Sequence, residues 1–209
     1  MEDILFSPLY QIIPMIQKRI IEKTSWFGVK VEKHPYDFWI YQEILWEAKP
    51  DFVVEIGNYM GGSTLALAHL CDLIGKGRVI GIDINQKLIP DKVRKHPRIT
   101  LIEGDATELF PEVQKIVGDS HCIVIEDSSH TYENTLKILR SYSKLIKPGG
   151  YIIIEDGICW HGLSAYYGPF PGPYEAVETF LSENPDFYAD RDIEFPITWN
   201  PKGFLKRRK

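Results

Sequence analysis

Five short apolar runs alternate with segments that favour helices through the middle of the chain. The apolar runs occupy residues 52–56, 78–83, 99–105, 122–127 and 151–156. The helical segments between them lie at about 62–74, 91–95, 109–117 and 130–146. Strands that are apolar almost throughout and that alternate with helices are typical of a parallel sheet covered on both faces. The pattern therefore predicts a doubly wound α/β fold.

Two further helices are predicted ahead of the first strand. Residues 3–23 have apolar positions at roughly helical spacing, and Pro14 should split or kink this segment. We interpret the segment as an N-terminal helical cap. Residues 37–48 predict a second helix that ends at Lys49-Pro50. Its aromatic side chains are expected to pack in the core, and its apolar stripe consists of Trp39, Ile40, Ile44, Leu45 and Ala48.

The end of the chain combines a long loop with a predicted hairpin. Residues 157–173 are rich in glycine, proline and aromatic residues, which is typical of a lid, a binding loop or an interface. A helix at about 174–182 follows. Two strands, at 187–193 and 198–207, could then pair and close the edge of the sheet.

Composition limits the classes of protein that fit. The 209 residues, 44% hydrophobic and 25% charged, predict one domain over 1–209, with 1–36 as a helical extension and 51–209 as the catalytic core. The net charge of −5 argues against a nucleic-acid partner, and no apolar run is long enough to span a membrane. Three cysteines without metal-ligand spacing suit a reducing cytoplasm. We expect a cytoplasmic protein and leave a homo-oligomer open.

Acidic residues end two of the apolar runs. Glu126 and Asp127 end the fourth run, with His130 close behind, and Glu155 and Asp156 end the fifth. Carboxylates gathered at the edge of a buried sheet repel one another and are costly to desolvate, so such a fold usually places a cation between them. Oxygen-rich ligation favours Mg²⁺, Mn²⁺ or Ca²⁺ over zinc. The sequence therefore predicts a divalent-metal site.

The spacing of these residues suggests how they could meet. Asp127 and His130 are three residues apart at the start of a predicted helix and can share one site. Glu155 and Asp156 would point to opposite sides of an extended strand, but a following turn can direct both into the crevice. Histidine titrates near neutral pH, so His130 is a candidate general base toward a substrate hydroxyl. The alternatives are that His130 caps the helix and that Glu126 is solvated.

A glycine turn follows the first apolar run, in the stretch VVEIGNYMGGST. Gly57, Gly61 and Gly62 allow close backbone approach, while Ser63 and Thr64 open a helix whose free N–H groups attract an anionic group. In an open α/β sheet a ligand lies beyond the carboxyl ends of the strands. The turn lacks the GxGxxG spacing of dinucleotide-binding proteins.

The acidic strand ends favour a particular cofactor. Asp83 could accept both hydroxyls of a ribose, and Asp105 could accept from an exocyclic amine of a base. Glu55 completes an acidic rim that would repel a pyrophosphate but tolerate the positive sulfonium and amino group of S-adenosylmethionine (SAM). We therefore predict SAM binding. The predicted cofactor-binding residues are Glu55, Gly57, Gly61, Gly62, Ser63, Asp83, Asp105 and Ala106.

With these residues, the chain resembles the class I SAM-dependent methyltransferases and, more narrowly, the cephalosporin hydroxylase-like and rhamnosyl O-methyltransferase family. The likeness covers HPYDFWIYQEILWEAKPDFVVEIGNYMGGSTLALA, VIGIDI, IEGDAT, IVIEDSSHTYENTLKILRSYSKLIKPGGYIIIEDG, GPYEAVETFL and FPITWNPKGFLKR. It implies a Rossmann-like, mostly parallel seven-stranded sheet with an antiparallel last strand. It also implies that Asp127, Glu155 and Asp156 hold Mg²⁺ (or Mn²⁺), and that the Asp127/His130 pair is catalytic, with His130 taking the proton.

The leading hypothesis is a SAM- and Mg²⁺-dependent O-methyltransferase. Its acceptor would be a hydroxyl of a sugar, a glycoside or another small natural product. The alternative is a SAM-binding accessory component of a hydroxylation or biosynthetic complex that transfers no methyl group. An iron oxygenase is disfavoured because only His130 lies near the acids, and an NAD-dependent reductase because the GxGxxG turn is missing.

Overall fold

The structure is a computed structural model that describes residues 7–161 and 170–209. The strands are β1 (Ser25–Trp26), β2 (Val29–Lys30), β3 (Phe52–Ile56), β4 (Arg78–Asp83), β5 (Ile99–Glu103), β6 (Cys122–Glu126), β7 (Tyr151–Ile154), β8 (Phe187–Ala189) and β9 (Phe204–Arg207). The helices are α1 (Leu9–Lys23), α2 (Pro35–Ala48), α3 (Gly62–Ile74), α4 (Asp91–Arg94), α5 (Ala106–Val117), α6 (Tyr132–Tyr142) and α7 (Pro173–Glu183).

A seven-stranded sheet organises the chain, in the order β5-β4-β3-β6-β7-β9-β8. Strands β3 to β7 are parallel, and β9 runs antiparallel between β7 and β8. The predicted doubly wound, mostly parallel fold and its closing hairpin are therefore confirmed. Because the parallel strands end at one edge, residues 127 and 155–156 lie beside the turn that follows β3.

Each face of the sheet packs a separate hydrophobic core. Val53, Ile125 and Ile153 face α2 and α3, where Tyr41 and Leu67 are buried. The opposite face packs against α5, α6 and α7. Side chains alternate between faces along a strand, so this division decides which strand-end acids can meet. Cys71 and Cys122 are free thiols buried in these cores.

The helical N-terminus differs from the prediction in two ways. Helix α1 runs without interruption through Pro14. This proline has no N–H to donate, so α1 lacks one backbone hydrogen bond, to the carbonyl of the exposed Tyr10. Trp39 was expected in the core but is 59% exposed, because the buried stripe of α2 follows Ile40 and Ile44 and position 39 is rotated away by about 100°.

A short hairpin of β1 and β2 was not predicted. Its two-residue turn has positive φ at both Phe27 (47°) and Gly28 (79°), the geometry that suits tight hairpins. Several predicted strands are shorter than expected, and the strand at 198–207 is reduced to β9. Of the predicted loop 157–173, residues 162–169 lie outside the described residues. Among the helices of residues 7–161 and 170–209, none has the length and apolar character needed to cross a bilayer.

Residues 198–200 form a loop because a buried carboxylate on α2 binds them. Asp37 accepts hydrogen bonds from the Thr198 hydroxyl and, over 2.8 Å, from the Trp199 N–H. Burial raises the pKa of Asp37 to about 7, although these two hydrogen bonds oppose the shift. The loop is thus attached to α2 by a group that loses water on folding, and Trp199 reaches the cavity described below.

Asp37→Asn should gain stability relative to the parent protein as the pH rises. The folded-state pKa of Asp37 is raised from 3.8 to about 7, so its contribution to stability is full below about pH 4 and is lost as the pH rises through 7. Asparagine does not ionise and avoids that loss. At about 1.4 kcal/mol per pKa unit, the difference between the two unfolding free energies should change by roughly 3 kcal/mol between pH 5 and pH 8. Urea unfolding of both proteins measures it, and a pH-independent difference would contradict the assignment.

Candidate active site

One cavity of about 710 Å³ lies at the carboxyl edge of the sheet. Three groups of residues line it. The turn after β3 and the end of β4 contribute Gly57, Asn58, Tyr59, Met60, Gly62, Ser63 and Asp83. The ends of β6 and β7 and the C-terminal loop contribute Asp127, Ser128, His130, Asp156, Ile158 and Trp199. Helix α1 and the segment after β2 contribute Pro14, Gln17, Lys18, Ile21, Glu22, Lys30, Val31, Glu32 and Lys33.

Two glycines hold these three groups together. A Cβ on Gly57, whose φ is 86°, would lie 2.0 Å from the backbone carbonyl oxygen of Asp127. A Cβ on Gly62 would lie 2.0 Å from the carbonyl oxygen of Lys30. We predicted that these glycines allow close backbone approach, and the structure shows that the approaching groups are the protein's own backbone segments. Gly61, with φ of 78°, stands at the N-cap of α3.

The other residues that were predicted to bind the cofactor divide into two sets. Ser63 and Asp83 line the cavity, and Asp83 accepts hydrogen bonds from the N–H groups of Tyr59 (2.8 Å) and Asn85 (3.1 Å). Glu55 is fully buried and accepts from the Thr64 hydroxyl. The lining residues do not include Glu55, Gly61, Asp105 or Ala106.

Asp105 has a local structural role. It is the N-cap of α5, where its Oδ1 accepts from the Thr107 N–H at 2.7 Å and from the Thr107 hydroxyl at 2.8 Å. These hydrogen bonds hold the pKa of Asp105 below its ordinary value. Binding of a base by this residue stays a prediction.

Asp127, His130 and Asp156 form a cluster in which one ligand atom from each lies within 4.8 Å of the others. His130 Nε2 is 3.3 Å from Asp156 Oδ2 and 4.0 Å from Asp127 Oδ1. Two of the three residues have left-handed backbones, with φ of 53° at His130 and 56° at Asp156. Such conformations are costly for residues other than glycine and concentrate at functional sites. The predicted turn lies at Asp156 itself, and of the two residues expected to point into the crevice only Asp156 lines the cavity.

Glu155 lies outside that cluster and pairs with a lysine that the sequence analysis missed. Lys33, only 6% exposed, donates hydrogen bonds to Asp127 Oδ2 and Glu155 Oε1. Lys33 was detectable in principle, because Val29, Val31 and Lys33 alternate with polar residues and therefore share the buried side of their segment. Its partners could not be identified from the sequence, because Asp127 and Glu155 are 94 and 122 residues away along the chain.

The buried charges around Lys33 do not balance. Burial lowers the pKa of Lys33, but Asp127, Glu155 and Glu55 outweigh it and hold that pKa well above its ordinary value. Burial raises the pKa of Asp127 to about 8 and that of Glu155 well above its usual range, although Lys33 opposes both shifts. One ammonium therefore faces more carboxylate charge than it can neutralise, and the site favours an additional cation.

Glu126 does not belong to this cluster, and the expectation that it is solvated is wrong. It is fully buried, and its Oε1 accepts from the hydroxyl of Ser128 and from Asn134. The reason is the strand pleat, which directs Glu126 to the α6 face while Asp127 points to the opposite face. His130 does not cap α6 either, because the N-cap is Thr131, whose Oγ1 accepts from the Asn134 N–H.

Comparison with known proteins places this geometry in a family. The family model for rhamnosyl O-methyltransferase/CmcI matches residues 18–208. Rhamnosyl O-methyltransferases of Mycobacterium tuberculosis (strain ATCC 25618 / H37Rv) and Mycobacterium leprae (strain TN) are each 32% identical over 194 residues. The alignments cover 88% of this chain and 78% and 83% of the two relatives, respectively.

Solved structures agree with this result. A CmcI structure with Mg and SAM has a TM-score of 0.69 at 27% identity, covering 89% of this chain and 77% of that one. MycE methyltransferase from the mycinamycin biosynthetic pathway, in complex with Mg and SAH, has a TM-score of 0.56 at 19% identity. It covers 81% of this chain and 48% of its own, and it supports the fold alone.

Fold, cavity and relatives together define the class of the protein, which is a SAM-dependent O-methyltransferase. More narrowly, the chain belongs to the rhamnosyl O-methyltransferase/CmcI family, as its motifs predicted.

Gly62→Ala should destabilise the protein more than Gly75→Ala. The new methyl group at position 62 would collide with the Lys30 carbonyl, and such overpacking costs about 1–3 kcal/mol. Gly75 ends α3 with φ of 78° and no heavy atom within 4 Å of an added Cβ, so its substitution costs only backbone strain, about 1 kcal/mol. Urea unfolding compares the two variants. Equal losses would show that the contact between Gly62 and Lys30 is not tight.

Proposed function

We propose that this protein is a Mg²⁺-dependent methyltransferase acting on a hydroxyl of a sugar, a glycoside or another small natural product. The observation that carries the proposal is the single cavity that joins the glycine turn to Asp127, His130 and Asp156. Its volume falls within the range of small-molecule sites, about 300–1,000 Å³. The rhamnosyl O-methyltransferase relatives support a sugar hydroxyl as the acceptor.

SAM fits the half of the cavity beside β3 and β4. Gly57, Ser63 and Asp83 would contact it, and bound SAM would supply the methyl group. Glu55 does not line the cavity, but it lies near the end of β3, just before this half, and its Oε1 is buried without a hydrogen-bond partner among the described residues. An unpaired buried carboxylate oxygen suits a cationic ligand such as the amino group of SAM. The CmcI complexes with Mg and SAM and with SAH support the same cofactor pair.

A divalent cation fits the cluster at the ends of β6 and β7. Asp127 and Asp156 offer carboxylate oxygens to a hard ion, and burial together with the neighbouring carboxylate of Asp156 raises the pKa of Asp127. When bound, the ion would supply charge that favours ionisation of the acceptor hydroxyl. Glu155 was also predicted as a ligand, but its Oε1 is engaged by Lys33.

His130 is the proposed general base. Methyl transfer joins the acceptor oxygen to the methyl carbon, breaks the sulfur–methyl bond and releases the hydroxyl proton. Nε2 of His130 would take that proton, and the carboxylate of Asp156, 3.3 Å away, would stabilise the imidazolium that forms. Asp127 would act with His130 by orienting the reacting groups.

The acceptor would enter between α1 and the C-terminal loop. This wall combines apolar side chains, among them Ile21, Ile158 and Trp199, with charged ones such as Lys18 and Glu22. Apolar surface beside polar groups suits a ring that carries hydroxyls on a hydrophobic aglycone. Helix α1 would therefore determine which acceptor is bound, while the sheet edge performs the reaction.

Incubation with SAM, Mg²⁺ and a panel of glycosides should release S-adenosylhomocysteine in step with a methylated acceptor. Turnover should stop on chelation of the metal and return when Mg²⁺ is restored. Mass spectrometry identifies the methylated product. Turnover that is unaffected by chelation would refute the metal dependence, and binding of SAM and Mg²⁺ without methylation of any glycoside would refute the acceptor class.

Asp127→Asn and His130→Gln should separate ligation from proton transfer. Asp127→Asn should weaken Mg²⁺ binding by roughly 10-fold or more, because a charged ligand is lost. His130→Gln should bind Mg²⁺ nearly as tightly as the parent does, because a hard cation prefers oxygen ligands. Its turnover should fall by about 100-fold, because the general base is lost. Calorimetry measures binding and product formation measures turnover. If His130→Gln weakens Mg²⁺ binding as much as Asp127→Asn does, His130 is a ligand.

Ile21→Ser tests the acceptor wall. Ile21 is 46% exposed on the cavity side of α1, so the change should raise KM for an acceptor with an apolar aglycone by roughly 10-fold and leave SAM affinity unchanged. Leu73→Ser is the matched control, because Leu73 is 84% exposed and does not line the cavity. If both substitutions raise KM equally, or if neither raises it, α1 takes no part in acceptor recognition.

A further inference from the structure

Lys33 is a buried cation among the strand-end carboxylates. It follows β2 and precedes α2, in a segment that is held against the start of α3 by the contact between Gly62 and Lys30. Its side chain is 5% exposed, and its ammonium donates to Asp127 and Glu155 together. The proposed methyl transfer does not use an ammonium at this position.

The ammonium uses the carboxylate oxygens that a metal ion could also use. Oδ2 of Asp127 accepts a hydrogen bond from Lys33, and Oδ1 of Asp127 faces His130. Glu155, whose side chain is 6% exposed, gives its Oε1 to Lys33. Because adjacent parallel strands end here, Asp127 and Glu155 lie side by side on one face, as shown by the hydrogen bond from the Glu155 N–H to the Glu126 carbonyl.

We propose that Lys33 is a positioning residue that competes with the divalent cation for Glu155 and for one oxygen of Asp127. It withholds Glu155 from the metal, orients Asp127 before the metal arrives and keeps metal affinity low. This inference rests on the proposed function, because it assumes the cation site at Asp127 and Asp156. It predicts that a neutral residue at position 33 frees a third carboxylate for the ion.

Lys33→Met should therefore bind Mg²⁺ more tightly than the parent protein, by roughly 10-fold. Calorimetric titration of each purified protein with Mg²⁺ into the millimolar range measures the change. Lys30→Met is the matched control: Lys30 lies three residues earlier, also lines the cavity, and pairs with Glu32 at 3.3 Å instead of the strand-end acids. Its Mg²⁺ affinity should match that of the parent.

Glu155→Gln shows whether the gain depends on the freed carboxylate. With Lys33 present, Glu155→Gln should change Mg²⁺ affinity less than about twofold, and in the Lys33→Met background it should remove the gain. The proposal is overturned if Lys33→Met binds Mg²⁺ no more tightly than the parent. It is equally overturned if Glu155→Gln alone abolishes Mg²⁺ binding, because Glu155 would then be a ligand despite Lys33.

Removal of Lys33 leaves buried carboxylates unpaired, so Lys33→Met should depend on the metal for stability. Its melting temperature should rise more on addition of Mg²⁺ than that of the parent, and an equal rise would count against the proposal. If Lys33→Met does not fold even with Mg²⁺, the Mg²⁺ affinity of the single variant Glu155→Gln tests the proposal. Nearly unchanged affinity supports it, and loss of binding overturns it. Absence of Mg²⁺ binding by the parent protein would defeat the proposed function itself, whereas unchanged affinity in Lys33→Met defeats only the role of Lys33.

Discussion

The structure depends on a concentration of negative charge that the sheet places out of water. Glu55, Asp127 and Glu155 share the face of the sheet that also carries Val53, Ile125 and Ile153, and a parallel arrangement brings their ends together. Isolated carboxylates in such a place would be protonated or would unfold the edge. One buried ammonium, from Lys33, compensates part of this charge. The remaining carboxylate charge is the basis on which we propose a divalent-cation site here.

The backbone around the site is shaped to keep these groups facing one cavity. Positive φ values at Tyr59, His130 and Asp156 fall in three different connections, and all three residues line the same space. Because Gly57 has no side chain, the glycine turn after β3 can approach the backbone of Asp127 closely. Strain of this kind persists only where the surrounding packing is rigid. The two buried cores on either side of the sheet supply that rigidity, so stability and function draw on the same strands.

Most of the architecture could be predicted because it follows from local periodicity. The apolar runs that became β3 to β7 and the acids at their ends are readable without any tertiary information. The errors concerned the direction in which individual side chains point. Trp39 and Glu126 were each assigned to the wrong environment, since the correct one depends on which neighbouring element covers a given face. Lys33 was missed for a related reason: its partners lie 94 and 122 residues away, so only the packed structure brings them together.

The N-terminal segment links the outer wall of the cavity with the acidic strand ends. Helix α1 lines the part of the cavity that we propose receives the acceptor, and the chain then passes through the β1–β2 hairpin directly to Lys33 among the carboxylates. The contact between Lys30 and Gly62 anchors this passage to the start of the helix that follows the cofactor turn. On the proposed function, the surface that would meet the acceptor and the ammonium beside the acidic strand ends belong to one short stretch of chain.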